Sequence, residues 1–296
     1  MKILFSEKCL EFYQPGHPES PERIKRTYEF LKKKNFKFIE PEPCSEEDLL
    51  LVHTKDHVEM IKSGKFYDPD TPNLPRVFEY ARLSAGSAIQ AMEFALEDEN
   101  SFSLMRPPGH HVGRSGKALG ATSLGFCYFN NIAIATKKAL AFVSKVAIID
   151  IDNHHGNGTQ EVFQGNEKVL YVSLHKHPFY PGTGEKSEKN CLNYPLSFKT
   201  TEKIYLQTLD IALTEVRNFN PDMVAVSAGF DAHKDDPLTE GGLGLNSISY
   251  RKIGRKIASL KKPSFAVLEG GYGVEFPECV HEFLIGYSKI SGKRKV

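Results

Sequence analysis

The chain has 296 residues, of which 40% are hydrophobic and 25% are charged, and its formal net charge at pH 7 is +1. This composition is ordinary for a soluble globular protein, and the balanced charge excludes a strong attraction to nucleic acid or to a membrane surface. The five cysteines are widely spaced without a Cys-x-x-Cys pair, which predicts reduced thiols in a cytoplasmic protein, and neither a signal peptide nor a membrane-spanning run is predicted.

Segments typical of strands and of helices alternate along the chain. The first strand is predicted at residues 2–5, and the first helix begins at Pro21, a residue favoured at the first helical position. A second helix follows a sequence at Ser45 that resembles a capping box, and a longer helix is predicted from Arg76 to about Ala95. Further strands are predicted at residues 102–105, 145–149, 169–174, 223–227 and 265–268. This alternation predicts an α/β fold with a mostly parallel central sheet and helices on both faces.

Chemically capable side chains follow the later strands. No internal repeat or linker divides the chain, so we expect one domain over residues 1–296. The groups at the predicted strand ends are His110 and His111, the segment from Asp150 to His155, His175, Asp231, and the segment from Glu269 to Gly273. Because ligands bind beyond the carboxyl ends of the strands in parallel α/β sheets, these distant segments are expected to converge on one site.

Three of these residues, Asp152, His154 and Asp231, are candidate metal ligands. Structural zinc usually has four protein ligands and favours cysteine, whereas catalytic zinc keeps a position open for water. A set of two carboxylates and one imidazole therefore predicts a catalytic metal. The alternative is that the two aspartates cap turns and that His154 is an ordinary loop histidine.

Two adjacent histidines, His110 and His111, are candidate proton-transfer groups. An imidazole has an ordinary pKa close to neutrality, which suits general acid–base catalysis. Asp150 and Asn157 are candidate partners for the two rings, since each can accept an N–H bond and hold one tautomer. A carboxylate raises imidazole basicity more than an amide does, so the ring paired with Asn157 should more easily stay neutral. The residues alone leave open which ring that is.

Aromatic residues occur in the same group of segments. Tyr272 lies in Gly-Gly-Tyr-Gly, which is expected to be loose enough to move the phenol. Its hydroxyl is a candidate donor to an oxyanion beside the metal, although tyrosine is also a common core residue. Phe126 and the pair Phe179-Tyr180 could line a narrow apolar slot for an alkyl chain.

Five motifs together resemble those of a known family. They are Arg106-Pro107-Pro108-Gly109-His110-His111, Gly125-Phe126-Cys127-Tyr128-Phe129-Asn130-Asn131, Asp150-Ile151-Asp152-Asn153-His154-His155-Gly156-Asn157, Ala228-Gly229-Phe230-Asp231 and Glu269-Gly270-Gly271-Tyr272. In combination they resemble the zinc-dependent histone deacetylase superfamily, which includes acetylpolyamine amidohydrolases. Asn157 stands where class I members carry aspartate, which is similar to class II members. The resemblance implies the arginase–deacetylase fold in a single domain.

The resemblance also implies a cofactor and a mechanism. One zinc ion would be bound by Asp152, His154 and Asp231. The implied catalytic residues are His111 as general base and acid, His110 backed by Asp150 as electrostatic support, Asn157 as the partner that tunes a ring, and Tyr272 as the group that polarises the substrate carbonyl. Water activated by zinc and His111 would attack an amide. The implied activity is removal of acetyl or longer acyl groups from lysine side chains of a protein or peptide.

Further sites are implied by the same resemblance. A structural potassium ion would lie near Asp150, Asp152, His154, Ser173 and Leu174, held largely through backbone oxygens. The substrate would contact Gly125, Phe126, Tyr180, Leu238 and, at the rim, Asp70, with Arg23 buried below the site. Leu238 stands where polyamine-selective members carry a glutamate, which disfavours a polyamine substrate. The segment 112–124 is longer than is usual in the family and is expected to shape or cover the entrance.

Three alternative functions are considered. The substrate could be a small acetylated amine such as a polyamine. A dimanganese ureohydrolase shares the implied fold, but Gly156 stands where its first metal motif needs another aspartate, and His233 stands where its second motif needs one. A non-catalytic acyl-lysine-binding module would be expected to lack Tyr272 or one of the paired histidines, and this chain retains all three.

Overall fold

An eight-stranded sheet forms the centre of the fold in the computed structural model, which describes residues 1–288. The strands are β1 (Lys2–Leu4), β2 (Phe38–Ile39), β3 (Ser101–Ser103), β4 (Val112–Gly113), β5 (Gly116–Lys117), β6 (Val146–Asp150), β7 (Val169–Lys176), β8 (Cys191–Leu196), β9 (Met223–Ala228) and β10 (Ser264–Leu268). β4 and β5 form a separate antiparallel hairpin. The other strands run parallel in the order β2-β1-β3-β10-β9-β6-β7-β8.

Helices cover both faces of this sheet. They are α1 (Pro21–Lys33), α2 (Glu46–Leu49), α3 (Lys55–Ser63), α4 (Val77–Leu96), α5 (Asn131–Ala139), α6 (Asn157–Phe163), α7 (Glu202–Phe219), α8 (Ser247–Ala258) and α9 (Phe276–Tyr287), with a short 3-10 helix at Glu7–Leu10. Residues of α1, α7, α8 and α9 belong to one hydrophobic cluster, and residues of α2, α3, α5 and α6 belong to the other. Within residues 1–288, no helix is long and apolar enough to cross a membrane.

Strand β6 shows how the sequence produces this arrangement. Ala147 and Ile149 lie in one hydrophobic cluster, whereas Val146 and Ile148 lie in the other. Successive strand side chains point to opposite faces, so a strand covered on both sides needs apolar residues at every position. The run ends at Asp150, where the strand reaches the edge of the apolar layers.

The predicted fold class is confirmed, and the predicted strands correspond to β1, β3, β6, β7, β9 and β10 with ends that differ by at most two residues. The prediction omits β2 and β8, which lie at the two edges of the sheet. β8 contains Pro195, which cannot donate to a neighbouring strand and is tolerated at an edge. α1 begins at Pro21, α2 carries the capping box of Ser45 with Asp48, and α4 corresponds to the helix predicted from Arg76.

The strand order explains why distant segments meet. β3, β10, β9, β6 and β7 are successive neighbours that run in one direction, so the segments after them leave from the same edge. His175 differs from the prediction, because it lies inside β7 rather than after it. Residues 289–296, the end of the predicted domain, lie outside the described residues.

Candidate active site

A cavity of about 240 Å³ opens at this edge of the sheet. Most of the predicted site residues line it, namely Asp70, His110, His111, Gly125, Phe126, Asp152, His154, Tyr180, Asp231, Leu238 and Tyr272. The other predicted residues, Asp150, Asn157, Ser173 and Leu174, are fully buried and do not line the cavity. The structure therefore brings the predicted metal ligands, both histidines and the tyrosine to one place.

The predicted metal ligands converge on the Nδ1 atom of His154. Oδ1 of Asp152 lies 3.1 Å from that nitrogen, and Oδ2 of Asp231 lies 2.9 Å from it. One ligand atom from each of the three residues lies within 4.8 Å of the others. Both carboxylates are buried, so the site concentrates negative charge in a place that water does not screen.

The hydrogen bonds of this cluster leave one oxygen available to a metal. The N–H of Gly270 donates to Oδ2 of Asp152 at 2.8 Å, and the N–H of Asn153 donates to Oδ1 of Asp231 at 2.8 Å. Among the described residues, Nδ1 of His154 lies 2.9 Å from the buried Oδ2 of Asp231, but its hydrogen bond goes to Asp152, and no other donor bonds that oxygen. Buried carboxylates are stable only when they are paired or coordinated, and this set of ligands suits a divalent cation with an open position. The residues present fit the predicted metal.

The electrostatics of the cluster also favour a cation. Burial and the neighbouring charge of Asp152 raise the pKa of Asp231 to about 7. Burial opposes protonation of His154, but the carboxylates of Asp231 and Asp152 outweigh burial and raise the pKa of that ring to about 10. A metal bound to the same atoms would take the place of this proton.

His110 is paired with Asp150, the last residue of β6. Nδ1 of His110 donates to Oδ2 of Asp150 at 3.0 Å, and the hydroxyl of Tyr171 donates to the same oxygen at 3.0 Å. Burial alone would lower the pKa of His110, but the carboxylates of Asp150, Asp152 and Glu269 raise it to about 10. The ring therefore carries a positive charge at neutral pH.

His111 is paired with Asn157, at the start of α6. The side-chain amide of Asn157 donates from Nδ2 to the carbonyl of Ala118 at 2.9 Å, which turns its Oδ1 toward Nδ1 of His111 at 2.8 Å. Nδ1 must then carry the proton, and Nε2 keeps its lone pair. Burial, and then the charges of His110 and His154, lower the pKa of His111 well below its ordinary value. His111 is therefore the ring that stays neutral, which the residues alone left open.

Tyr272 is held at its ring and its backbone. The guanidinium of Arg23 lies 4.6 Å from the ring centre, and the ring of Phe126 meets it edge-on at 5.9 Å. Nε of Arg23 also donates to the carbonyl of Gly271 at 2.7 Å. Within residues 1–288, the Tyr272 hydroxyl makes no hydrogen bond, so it is available to a ligand. The glycines of this segment predicted a loose backbone, and the structure corrects this. The backbone is closely packed at Gly270, where a Cβ would lie 2.5 Å from Oδ2 of Asp231.

Two buried charge networks support the site and were not predicted. Glu269 follows β10, and its Oε2 accepts from the N–H groups of Gly109 and His110 at 2.8 and 3.2 Å. Glu19 accepts from both Arg106 and Arg23, at 2.6 and 3.0 Å. The position of Glu269 at the end of a predicted strand could have indicated that it supports the site. Arg23 lies only four residues from Glu19, but no local signal indicates the other partner, Arg106, which lies 87 residues away in the sequence.

The mouth of the cavity is bridged by hydroxyl groups. The hydroxyl of Tyr180 lies 3.0 Å from Oγ of Ser123, which donates in turn to Oδ2 of Asp70. Oδ1 of Asp70 accepts from the N–H of Gly125 at 3.1 Å. A Cβ at Gly125 would lie 2.4 Å from the ring of His111, and the residue has a φ of +59°, so glycine is required here.

The long segment 112–124 does not cover the entrance, which corrects one part of the prediction. Its first half forms the β4–β5 hairpin, and Arg114 donates to the carbonyl of Val162 at 2.6 Å, on α6. Only its end, at Ser123, lies at the mouth. The segment instead supports His111 indirectly, because the carbonyl of Ala118 orients the side-chain amide of Asn157, which bonds the His111 ring.

Of the predicted potassium residues, Asp150 ends β6, Ser173 and Leu174 lie in β7, and Asp152 and His154 lie in the segment after β6. Strand pairing places Asp150 directly beside Ser173, and the Ser173 hydroxyl lies 2.9 Å from Nδ1 of His175. His155, for which no role was predicted, bonds Thr183 and Gln160 at 2.7 and 2.9 Å. Both of its ring nitrogens are thus used in holding neighbouring loops.

Comparisons with known proteins agree with the fold and show the family. Residues 17–285 match the family model of the histone deacetylase domain. A probable deacetylase of Archaeoglobus fulgidus is 39% identical over an alignment of 301 positions, which covers 92% of this chain and 81% of that protein. The HDA15 HD domain gives a TM-score of 0.87 at 32% identity, covering 96% of this chain and 90% of that one. An acetylpolyamine aminohydrolase from Burkholderia pseudomallei gives 0.86 at 26% identity, covering 97% and 98%. The likenesses to solved structures confirm the arginase–deacetylase fold.

Loss of one carboxylate should disable the metal site. We expect purified, metal-reloaded protein to hold one divalent ion per chain. Loss of a residue that only supports a metal ligand lowers metal affinity by about 10–100-fold, so loss of the ligand itself in Asp231→Ala should lower it further. Metal content after dialysis against a chelator series measures this affinity. Asp235→Ala is the control, because that side chain is 58% exposed and lies four residues away. Two ions per chain, or unchanged affinity in Asp231→Ala, would contradict the assignment.

Proposed function

Since this chain belongs to the histone deacetylase family, we propose that it is a zinc-dependent amidohydrolase that removes acetyl or longer acyl groups from lysine side chains. The family supports hydrolysis of an amide. The observation that carries the proposal is that a neutral imidazole, a free phenol and the three candidate metal ligands line one cavity. The proposed substrate is an acylated lysine in a protein or peptide.

Each group of the cavity has a distinct part in the proposed reaction. Zinc held by Asp152, His154 and Asp231 would supply Lewis-acid activation of the acyl carbonyl and of the attacking water. Nε2 of His111 accepts the proton that water loses as its oxygen bonds to the carbonyl carbon. The hydroxyl of Tyr272 donates a hydrogen bond to the carbonyl oxygen as negative charge builds there.

The second half of the reaction returns the proton. As the carbon–nitrogen bond breaks, protonated His111 delivers the proton to the amine nitrogen, so that lysine leaves neutral and is protonated by solvent. The positive charge of His110 stabilises negative charge in the cavity. It also keeps the pKa of its neighbour His111 low. The two histidines thus have different duties because one faces a carboxylate and the other an amide.

The cavity favours an acyl-lysine over an acylated polyamine. A polyamine carries a further ammonium group, which needs a free carboxylate near the entrance. Leu238 contributes an apolar side chain to the lining, and the carboxylate of Asp70 already accepts from Ser123, Gly125 and Thr71. Small acylated amines are the alternative substrates to be tested, because one structural neighbour is an acetylpolyamine aminohydrolase.

The proposal extends to three further features. We also propose a structural potassium ion near Asp150, Asp152, His154, Ser173 and Leu174; the pairing of Asp150 on β6 with Ser173 on β7 supports it. One catalytic domain is proposed over residues 1–296. A cytoplasmic location is proposed because the five cysteines are all unpaired and buried, as expected of reduced thiols.

Two substitutions test the proposed chemistry. In zinc-loaded protein, Tyr272→Phe should lower kcat by about 10²–10³-fold, because one donor to the oxyanion is lost. His111→Ala should lower it by about 10²–10⁴-fold, because the proton-transfer group is lost. Hydrolysis of a panel of acyl-lysine peptides and acetylpolyamines is the assay. Tyr13→Phe, which changes an exposed tyrosine, is the control. The proposal fails if both variants retain full activity on the best substrate.

The pH profile should report the neutral state of His111. Activity is present when the ring is neutral and is lost as the pH falls through its pKa, which burial and neighbouring charge hold below 6.5. The acid limb of kcat/KM should therefore have its midpoint below pH 6.5. Asn157→Asp places a carboxylate 2.8 Å from Nδ1 and should move this limb to higher pH. Asn35→Asp, at an exposed position after α1, should leave it in place. An unmoved limb in Asn157→Asp would show that another group controls it.

A further inference from the structure

A buried carboxylate outside the proposed mechanism lies directly behind Tyr272. Asp236 is 4% exposed and accepts three hydrogen bonds, all from backbone N–H groups. Its Oδ2 accepts from Tyr272 at 2.7 Å and from Gly273 at 3.2 Å, while its Oδ1 accepts from Leu238 at 3.0 Å. One side chain therefore connects the segment after Asp231 with the segment that carries the phenol.

The burial of this carboxylate requires a reason. Within residues 1–288, Asp236 forms no ion pair, and a buried charge without one is costly unless several donors satisfy it. The donors that satisfy it are the consecutive amides of Tyr272 and Gly273 together with that of Leu238. A smaller apolar residue could fill the same space, but it would leave these three N–H groups without acceptors. The carboxylate is thus suited to fixing the backbone it binds.

Among the described residues, the bond to Asp236 is the only hydrogen bond made by the backbone of Tyr272 itself, although Arg23 holds the carbonyl of the preceding Gly271. Glycines flank it on both sides, and Gly271 has a φ of +124°, a conformation that glycine adopts freely. The hydroxyl makes no hydrogen bond in the described part of the chain, so the phenol is positioned by its ring contacts and its backbone alone. The N–H of Tyr272 itself is held by Asp236.

We propose that Asp236 is a positioning residue of the reaction, which sets the direction of the Tyr272 hydroxyl by holding the amides of residues 272 and 273. This inference rests on the proposed function, in which that hydroxyl donates to the acyl carbonyl oxygen. Asp236 touches neither substrate nor metal in this account. Its effect on the reaction passes through the phenol.

A double-mutant cycle separates positioning from general structural support. In the wild-type background, Asp236→Ala should lower kcat by about 10–10²-fold with little change in KM, because a donor used in the transition state is misplaced. In the Tyr272→Phe background, the same substitution should change kcat by less than about 2-fold, since the hydroxyl it positions is already absent. Asp236→Asn keeps one acceptor oxygen and should recover part of the activity.

Asp222→Ala is the matched control. Oδ2 of Asp222 likewise accepts from two consecutive amides, those of Ser144 and Lys145 at 2.9 Å each, but at the opposite end of β6. This variant should leave kcat unchanged in both backgrounds. Thermal unfolding of every variant shows whether the fold is retained, and Asp236→Asn replaces Asp236→Ala if the latter does not fold.

A second measurement is independent of catalysis. In protein labelled with 3-fluorotyrosine, the fluorine resonance of Tyr272 is identified by its loss in Tyr272→Phe. Asp236→Ala or Asp236→Asn should shift or broaden that resonance, and Asp222→Ala should not.

Equal loss of kcat in both backgrounds, or an unchanged resonance, would overturn the role of Asp236. Absence of amide hydrolysis by the wild-type protein would instead overturn the proposed function, and the fluorine spectra would still decide whether Asp236 positions the phenol.

Discussion

The meeting of two buried carboxylates at one imidazole is the constraint on which the rest of the site depends. Asp152 and Asp231 leave the ends of different strands, β6 and β9, which are neighbours in the sheet. Their oxygens reach within 3.1 Å of one nitrogen of His154. Buried carboxylates are stable only when they are paired or coordinated, so this cluster favours a bound cation, and the cavity beside it provides access. The parallel sheet therefore does more than support the site, because its register brings these ligands together.

The same negative charge gives the two adjacent histidines different states. His110 faces the carboxylate of Asp150 and stays protonated, whereas His111 faces an amide and stays neutral. The amide of Asn157 is oriented by a carbonyl of the segment 112–124. A segment that looked like a cover for the entrance thus helps to set the tautomer of a ring deep in the cavity.

Much of the site could be predicted because its residues occupy strand ends. Two local patterns indicated the position of the site. Asp152 and His154 alternate along an extended segment, and an apolar run precedes each cluster of polar residues. The pairing of Asn157 with His111 was left open by the residues, since it depends on which way an amide is turned by a distant carbonyl. Asp236 carries no local signal of its partners across the cavity. β8 was not predicted because it contains a proline, which is unfavourable in a strand except at the edge of a sheet.

The central claim is that one metal and the phenol of Tyr272 act on the same acyl carbonyl. A crystal structure of zinc-loaded Tyr272→Phe with an acetyl-lysine peptide, with anomalous data collected at the zinc absorption edge, tests it most directly. We predict a single anomalous peak among Asp152, His154 and Asp231, with the acetyl oxygen directed toward both the peak and the ring of residue 272. A peak elsewhere, two peaks, or an acetyl oxygen directed away from residue 272 would contradict it.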